Sequence, residues 1–360
     1  MNLNVLVKLS LLLTVIVIAL GAYTRLSDAG LGCPDWPGCY GHLTVPTKAG
    51  DVQAANAAYP ERAVEADKAW LEMVHRYFAG TLGLCIFAIT AWSIRAKRSA
   101  VGVRLPIALS VVVVFQAALG MWTVTLKLMP LVVMAHLLGG FTLLALLSLF
   151  YFRLKPQKTT RQSVPGSLKL MSLIAFCVVV VQIMLGGWTS SNYAAVVCSS
   201  LPICEGNWPA FLDFKNAFSL QLNGYDSYEF GVLEYPARMT IHVTHRIGAL
   251  ITFCVVGALA LRLYRSESSA LSKAAAVLAA VLVVQVCLGI ANVVLLLPLS
   301  IAVLHNLGAA SLLICLTYIN YQVWTAQVAS TLPHKISRQK NGNKPINQIR
   351  VNPEDKECSL

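Results

Sequence analysis

The chain has 360 residues, of which 57% are hydrophobic and only 12% are charged, and its mean hydropathy is +0.66. A soluble protein of this length needs more charge to cover its surface, so the composition excludes the ordinary soluble classes and indicates a membrane protein. The net charge of +12 is interpreted as a topology signal, and nucleic acid is not expected as a partner.

Eight apolar stretches of about 20 residues are each long enough to cross a hydrocarbon core of about 30 Å. In chain order they cover residues 4–22, 69–93, 105–126, 129–151, 169–189, 239–262, 272–294 and 299–323. The first stretch lacks an Ala-x-Ala-like cleavage site, so it is interpreted as a retained span rather than a signal peptide. The sequence therefore predicts an all-α membrane protein with eight transmembrane helices.

Charge is distributed unevenly between the loops. Of the 28 basic residues, 19 fall in one set of short loops and in the termini, whereas 12 of the 16 acidic residues fall on the other side. The positive-inside rule then predicts a multi-pass inner-membrane protein of bacteria with both termini in the cytoplasm. The two long loops, 23–68 and 190–238, would lie outside. The polar tail, 324–360, is predicted to be disordered.

The second half of the chain repeats the first at an offset that drifts from 165 to 170 residues. The repeated positions carry polar, cysteine and glycine residues, which chance similarity between apolar helices does not explain. They are Gly21, Thr24, Cys33, Cys39, His75, Arg76, Gln116, Gly120 and His136, matched by Gly186, Thr189, Cys198, Cys204, His245, Arg246, Gln285, Gly289 and His305.

This repeat predicts two pseudo-symmetric four-helix bundles. Both halves begin in the cytoplasm, so the repeat is parallel, about an axis along the membrane normal. The predicted organisation is an N-terminal half (1–151), a cytoplasmic linker (152–168), a C-terminal half (169–323) and the tail (324–360).

Five of the seven histidines lie near the outer ends of the even-numbered spans: His75, His136, His242, His245 and His305. Ionisable groups inside a membrane are costly and usually functional, so these positions indicate one site per half. Paired imidazoles in a four-helix bundle can supply the two axial ligands of haem iron. Zinc or copper is the alternative, but would usually recruit a third or fourth ligand nearby.

The two halves differ one helical turn before the repeated histidine. The first half has Glu72 there and the second half has His242. An isolated carboxylate near the membrane edge could donate or accept a proton during catalysis, and a structural ion pair with Arg76 or a loop base is the alternative. For Arg76 and Arg246, contact with haem propionates and contact with lipid headgroups are both left open.

Two cysteine pairs lie in the outer loops, Cys33 with Cys39 and Cys198 with Cys204. That compartment is oxidising, so each pair is expected to form a disulfide, which stabilises the fold by about 2 kcal/mol. A metal-binding thiol pair is the alternative, and spacing alone does not decide whether the cysteines act in redox chemistry.

Several of these motifs together resemble the haem A synthase family, in its cysteine-bearing bacterial branch. They are GAYTRLSDAGLGCPDWPGC at 21–39, EMVHR at 72–76, HVTHR at 242–246 and the histidines of spans four and eight. The resemblance covers residues 5–323. It implies an oxidoreductase that converts the C8 methyl group of haem O to a formyl group, giving haem A for cytochrome oxidase.

The resemblance also implies roles for the site residues. His245 and His305 would hold a haem b cofactor, while His75 and His136 would flank the substrate haem, with Glu72 beside it as the catalytic residue. The cysteine pairs match the outer-loop disulfides of the family, and His242 receives no role. Haem O synthase and an unidentified electron donor are the implied partners, besides the membrane lipid.

Two other functions compete with this one. A dihaem membrane cytochrome for electron transfer would need two equivalent sites, whereas Glu72 has no equivalent. A transporter would more often have inverted repeats and polar sites near the midplane. The sequence leaves open the electron donor, the source of the formyl oxygen, the route of haem O into the site and whether the chain forms a homo-oligomer.

Overall fold

The computed structural model describes residues 2–96, 102–155, 164–220 and 224–325. The regular elements in these ranges are helices, and eight are long and apolar enough to span a membrane, which confirms the predicted class and number of spans. In chain order the helices are α1 Leu3–Leu26, α2 Ala49–Ala58, α3 Ala66–Arg95, α4 Arg104–Thr125, α5 Pro130–Leu154, α6 Gly166–Ser191, α7 Phe214–Ala217, α8 Tyr235–Tyr264, α9 Ser269–Val294 and α10 Leu299–Thr325, with a 3-10 turn at Trp208–Phe211 before α7.

All helices except α2 and α7 are candidate spans, and their ends lie within four residues of the predicted ones. The helices α2 and α7 belong to the long loops and were not predicted. Helices α5 and α6 extend into the predicted linker, 152–168. Residues 156–163 of this linker lie outside the described ranges, and so does the predicted tail from residue 326 onward.

The outer surface of the helices is apolar, whereas several polar side chains are buried between them. Leu84 is 71% exposed and Leu250 is 63% exposed, but Glu72 and His242 are only 5% and 4% exposed. Apolar side chains on the surface and polar side chains inside are typical of proteins in lipid. There the backbone polar groups are satisfied within each helix, and apolar side chains face the hydrocarbon. The protein is a multi-pass membrane protein.

Each half forms a closed ring of four spanning helices. In the first half α1 packs on α3, α3 on α4, α4 on α5 and α5 on α1, and in the second half α6, α8, α9 and α10 follow the same order. The halves meet where α1 contacts α10 and where α5 contacts both α6 and α10. The two halves thus share one order of helix contacts.

Equivalent turns precede α5 and α10. Lys127 and Leu128 both have positive φ, and Leu128 N–H donates to the carbonyl of Thr123 at 2.8 Å. Leu296 and Leu297 repeat this conformation, with a bond of 2.7 Å from Leu297 N–H to the Asn292 carbonyl. Each turn starts a helix whose seventh residue is a histidine, His136 or His305, so both histidines lie at the same depth.

Candidate functional site

In the first half, α3 and α5 bring His75 and His136 together, with their rings nearly perpendicular. Their ring centroids lie 6.5 Å apart and the ring planes are 83° apart. Paired imidazoles in a four-helix bundle are a ligand set that haem iron takes, so this pair could hold one. Both Nδ1 atoms are buried without a hydrogen-bond partner among the described residues, which is costly unless a ligand orders the rings.

Each of the four paired histidines lies against a glycine of the neighbouring helix. A Cβ at Gly21 would come within 2.9 Å of His75 Cε1, and a Cβ at Gly120 within 3.5 Å of His136 Cε1. The second half repeats these contacts at 3.2 Å, between Gly186 and His245 and between Gly289 and His305. At Gly21 a side chain would collide with the ring, at Gly186 and Gly289 the fit would be tight, and at Gly120 a Cβ would be in ordinary van der Waals contact.

A cavity of about 800 Å³ extends from the first pair of histidines toward the outer loop. Most of its lining is apolar, and His75, His136, Glu72 and Arg25 also line it. Its volume lies within the range of about 300–1,000 Å³ that ligand sites occupy, and the mostly apolar walls with few polar groups suit a flat hydrophobic macrocycle. The residues present therefore fit a haem.

Glu72 lies in the lining of this cavity with both carboxylate oxygens engaged. Oε2 accepts a hydrogen bond of 2.9 Å from the backbone N–H of Cys33, and Oε1 forms an ion pair with Arg76. The ion pair that the sequence left as an alternative is therefore present. Because the same carboxylate borders the cavity, a role toward a bound substrate stays a prediction.

The two arginines that follow the histidines hold the disulfide loops. Arg76 donates to carbonyl oxygens of the first loop, at Asp35, Pro37 and Gly38. Arg246 donates to carbonyl oxygens of the second loop, at Cys198, Ser200 and Ile203. Neither contact was predicted, and contact with a propionate stays a prediction.

His242 occupies the position of Glu72 in the second half. Its Nε2 accepts a hydrogen bond of 3.2 Å from Nε of Arg246. The first half thus pairs its loop-holding arginine with a carboxylate, and the second half pairs its arginine with an imidazole. This contact gives His242 a structural partner that sequence reasoning did not find.

Both predicted cysteine pairs form disulfides, Cys33 with Cys39 and Cys198 with Cys204. Carboxylates hold the two loops in different ways. Asp35 accepts from the backbone N–H groups of Tyr40 and Gly41, whereas Glu205 accepts from those of Ser199 and Ser200. Each carboxylate thereby fixes the conformation of its own loop.

In the second half a glutamine lies beside each of the two histidines, His245 and His305. Nε2 of Gln182 is 3.0 Å from His245 Nδ1, and Nε2 of Gln285 is 3.4 Å from His305 Nε2. Gln285 belonged to the recognised repeat, but Gln182 did not and was missed.

Polar contacts also join the halves at the end where the disulfide loops lie. Arg25 donates to the Tyr193 hydroxyl at 2.6 Å and stacks on its ring, with 4.1 Å from the guanidinium carbon to the ring centroid. Arg62 and Glu229 form an ion pair of 2.7 Å between the long loops. These contacts depend on the packing of the halves and have no sequence signature.

The sequence pattern of a family described as cytochrome oxidase assembly protein matches residues 4–317. A haem A synthase of Shewanella oneidensis is 52% identical over 325 residues, which cover 90% of this chain and 97% of that protein. A haem A synthase of Wolbachia sp. subsp. Brugia malayi is 27% identical over 82% of this chain and 89% of that protein. A haem A synthase of Shouchella clausii is 27% identical over 61% and 68%, respectively.

Proposed function

The chain belongs to the haem A synthase family of cytochrome oxidase assembly proteins, and we propose that it is an oxidoreductase that converts the C8 methyl group of haem O to the formyl group of haem A. The observation that carries this proposal is the close pair His75 and His136 at the end of an apolar cavity that also borders Glu72. The substrate haem would lie in this cavity with its iron between the two rings.

The second half would hold a resident haem b through His245 and His305. When bound, haem b supplies a one-electron carrier beside the substrate site. The protein itself would orient both imidazoles. Glycines allow the two rings to lie against neighbouring helices, and Gln182 contacts the ring of His245. The electron donor that this carrier would serve is a partner still to be identified.

Glu72 would hold and move a proton during turnover. Oxidation of a methyl group through an alcohol to a hydrated aldehyde needs an oxidant, either dioxygen or an electron acceptor with water as the oxygen source. The loss of water that follows moves a proton from one hydroxyl group to the leaving hydroxyl group, and a nearby carboxylate can accept and return protons in these steps. Arg76 keeps the carboxylate in place, and the N–H of Cys33 fixes the second oxygen. The same contacts couple the position of Glu72 to the first disulfide loop.

A dihaem cytochrome is the competing function, because both halves contain a histidine pair. Expression together with haem O synthase, followed by haem extraction and mass spectrometry, separates the two. We expect a new formyl-bearing porphyrin from the wild-type chain and none from His75→Leu. Two unmodified haems in the wild-type protein and no formyl product would support the cytochrome and overturn the proposal.

Haem O synthase is the proposed supplier of the substrate, because it would release haem O into the same membrane. The orientation proposed is an inner-membrane protein with both termini in the cytoplasm, supported by the basic loops 94–104, 152–169 and 262–273. Reporter fusions in these loops should score cytoplasmic, and fusions near Asp51 and Asp226 periplasmic. Cytoplasmic scores at both aspartates would overturn this orientation.

A further inference from the structure

His245 has a side-chain partner on its second ring nitrogen. The amide nitrogen of Gln182, on α6, lies 3.0 Å from His245 Nδ1 and donates to the His245 carbonyl, also at 3.0 Å. Oε1 of Gln182 is buried without a partner among the described residues. When Nε2 of His245 is the ligand atom, Nδ1 carries the proton. A half-turn of the amide then lets Oε1 accept from Nδ1–H, and the bond from the amide nitrogen to the His245 carbonyl is given up in exchange.

The first half has an apolar residue at the same position. The offset of 165 residues that relates Gly186 to Gly21 also relates Gln182 to Val17, which lines the cavity. His75 faces the backbone of Val17 but makes no hydrogen bond of normal geometry through Nδ1. The two histidines therefore occupy equivalent positions with different second partners.

A second substitution accompanies the first. A Cβ at Gly248 would lie 2.3 Å from Oε1 of Gln182, so Gly248 provides the space for the amide. The offset of 170 residues that relates His245 to His75 places Phe78 at the position of Gly248. Beside His245 the second half thus has a glutamine with room for its amide, and beside His75 the first half has neither. The other histidine of each half does not differ in this way, since Gln116 lies against Gly139 and Gln285 against Gly308.

We propose that Gln182 is a positioning residue that holds His245 as the ligand of a retained haem, whereas Val17 and Phe78 leave the haem of the first half exchangeable. A histidine that donates its second N–H is fixed in orientation and becomes a stronger ligand, and loss of such a partner typically lowers affinity about 10- to 100-fold. A synthase must release its product from one site and keep its cofactor in the other, so this inference rests on the proposed function.

The test compares haem retention in purified full-length variants in detergent. Haem loss to excess apomyoglobin is followed in the His75→Leu background, which isolates the second site. Gln182→Leu should lose haem at least tenfold faster and raise its midpoint potential, because a weaker imidazole donor stabilises ferric iron less. Gln182→Glu should restore retention and lower the potential, a signature that a merely structural role would not give.

The reciprocal variant, Val17→Gln with Phe78→Gly, tests the first site separately in the His245→Leu background. We expect haem loss from that site to become at least tenfold slower. This test does not depend on whether Gln182→Leu folds. Unchanged loss rates and potentials in Gln182→Leu, or an unchanged rate in the reciprocal variant, would overturn the inference. If haem content is the same with and without His245, the proposed function has failed instead.

Discussion

The first and second halves of the chain place their histidines in the same way but surround them differently. In both halves a glycine makes room for each ring, and an arginine holds the disulfide loop. The differences lie beside the rings: Glu72 and Val17 in the first half stand where the second half has His242 and Gln182. A duplicated scaffold can thus acquire two functions through changes next to its ligands, without changes to the ligands.

The two halves also differ in the charge beside their histidines. In the first half the carboxylate of Glu72 neutralises Arg76 and borders an open cavity. In the second half the neutral side chain of His242 meets Arg246, so the buried carboxylate is missing from the site proposed to store a haem. This comparison predicts that the two halves respond differently to matched substitutions.

The largest expected difference follows from removing a ring in each half. His245→Leu should remove most of the tightly bound haem b, because one axial ligand is lost, while His75→Leu should keep it and abolish formyl product. Pyridine haemochrome spectra and haem mass spectrometry of the purified variants measure both quantities. Equal haem loss in the two variants would break the distinction between a retained and an exchangeable site.

Removing the titrating proton beside the first site should have the next largest effect. Glu72→Gln keeps the shape of the side chain, so haem b content should stay normal while haem A formation falls at least tenfold. The alcohol intermediate is expected to accumulate in extracted haem. His242→Gln is the matched control in the second half, with haem A formation close to that of the wild type.

Wild-type yield of haem A from Glu72→Gln would show that the carboxylate serves only its ion pair with Arg76. Limited proteolysis of the first disulfide loop distinguishes that outcome, since a purely structural role predicts faster cleavage of Glu72→Gln with no loss of turnover.

The sequence predicted the eight spans well because each depends on a local property, a continuous apolar stretch of sufficient length. It also predicted that His75 and His136 lie close together, since both sit at fixed depths in a repeated bundle. It did not predict the loop carbonyl oxygens that Arg76 and Arg246 bind, because these contacts depend on how the loops fold back. Gln182 was missed because it breaks the repeat, and only the register of Gly186 against Gly21 shows that Val17 is its counterpart.

Removing the disulfide of each half compares the two halves in stability, and the expected effect is smaller than those above. Replacing both cysteines of one loop by serine should lower the free energy of unfolding by about 2 kcal/mol, because a short ring no longer restricts the unfolded chain. Loss of the Cys33–Cys39 bond should also reduce haem A formation, because the Cys33 N–H binds Glu72. Loss of the Cys198–Cys204 bond has no such route to the substrate site.

Alkylation of the unreduced, unfolded wild-type protein should leave these four cysteines unlabelled. Free thiols at all four positions would contradict the disulfides. An equal reduction of haem A formation by both pairs of serine variants would contradict the coupling through Glu72.

The smallest expected effect concerns the carboxylate that holds the second loop. Hydrogen bonds, first from the Ser199 side chain and then from backbone N–H groups, lower the pKa of Glu205 from 4.5 to about 2. Because the pKa in the folded state is depressed, this contribution is complete above about pH 4.5 and is lost as the pH falls through 2. Glu205→Gln lacks a titrating group, so cleavage of this loop by pepsin should be several-fold faster than in the wild type at pH 4.5 and similar at pH 2.

The first loop, held by Asp35, serves as the internal reference in the same digests, and its cleavage should not change with the substitution. If the wild type and Glu205→Gln are cleaved alike at both pH values, the carboxylate does not stabilise the loop.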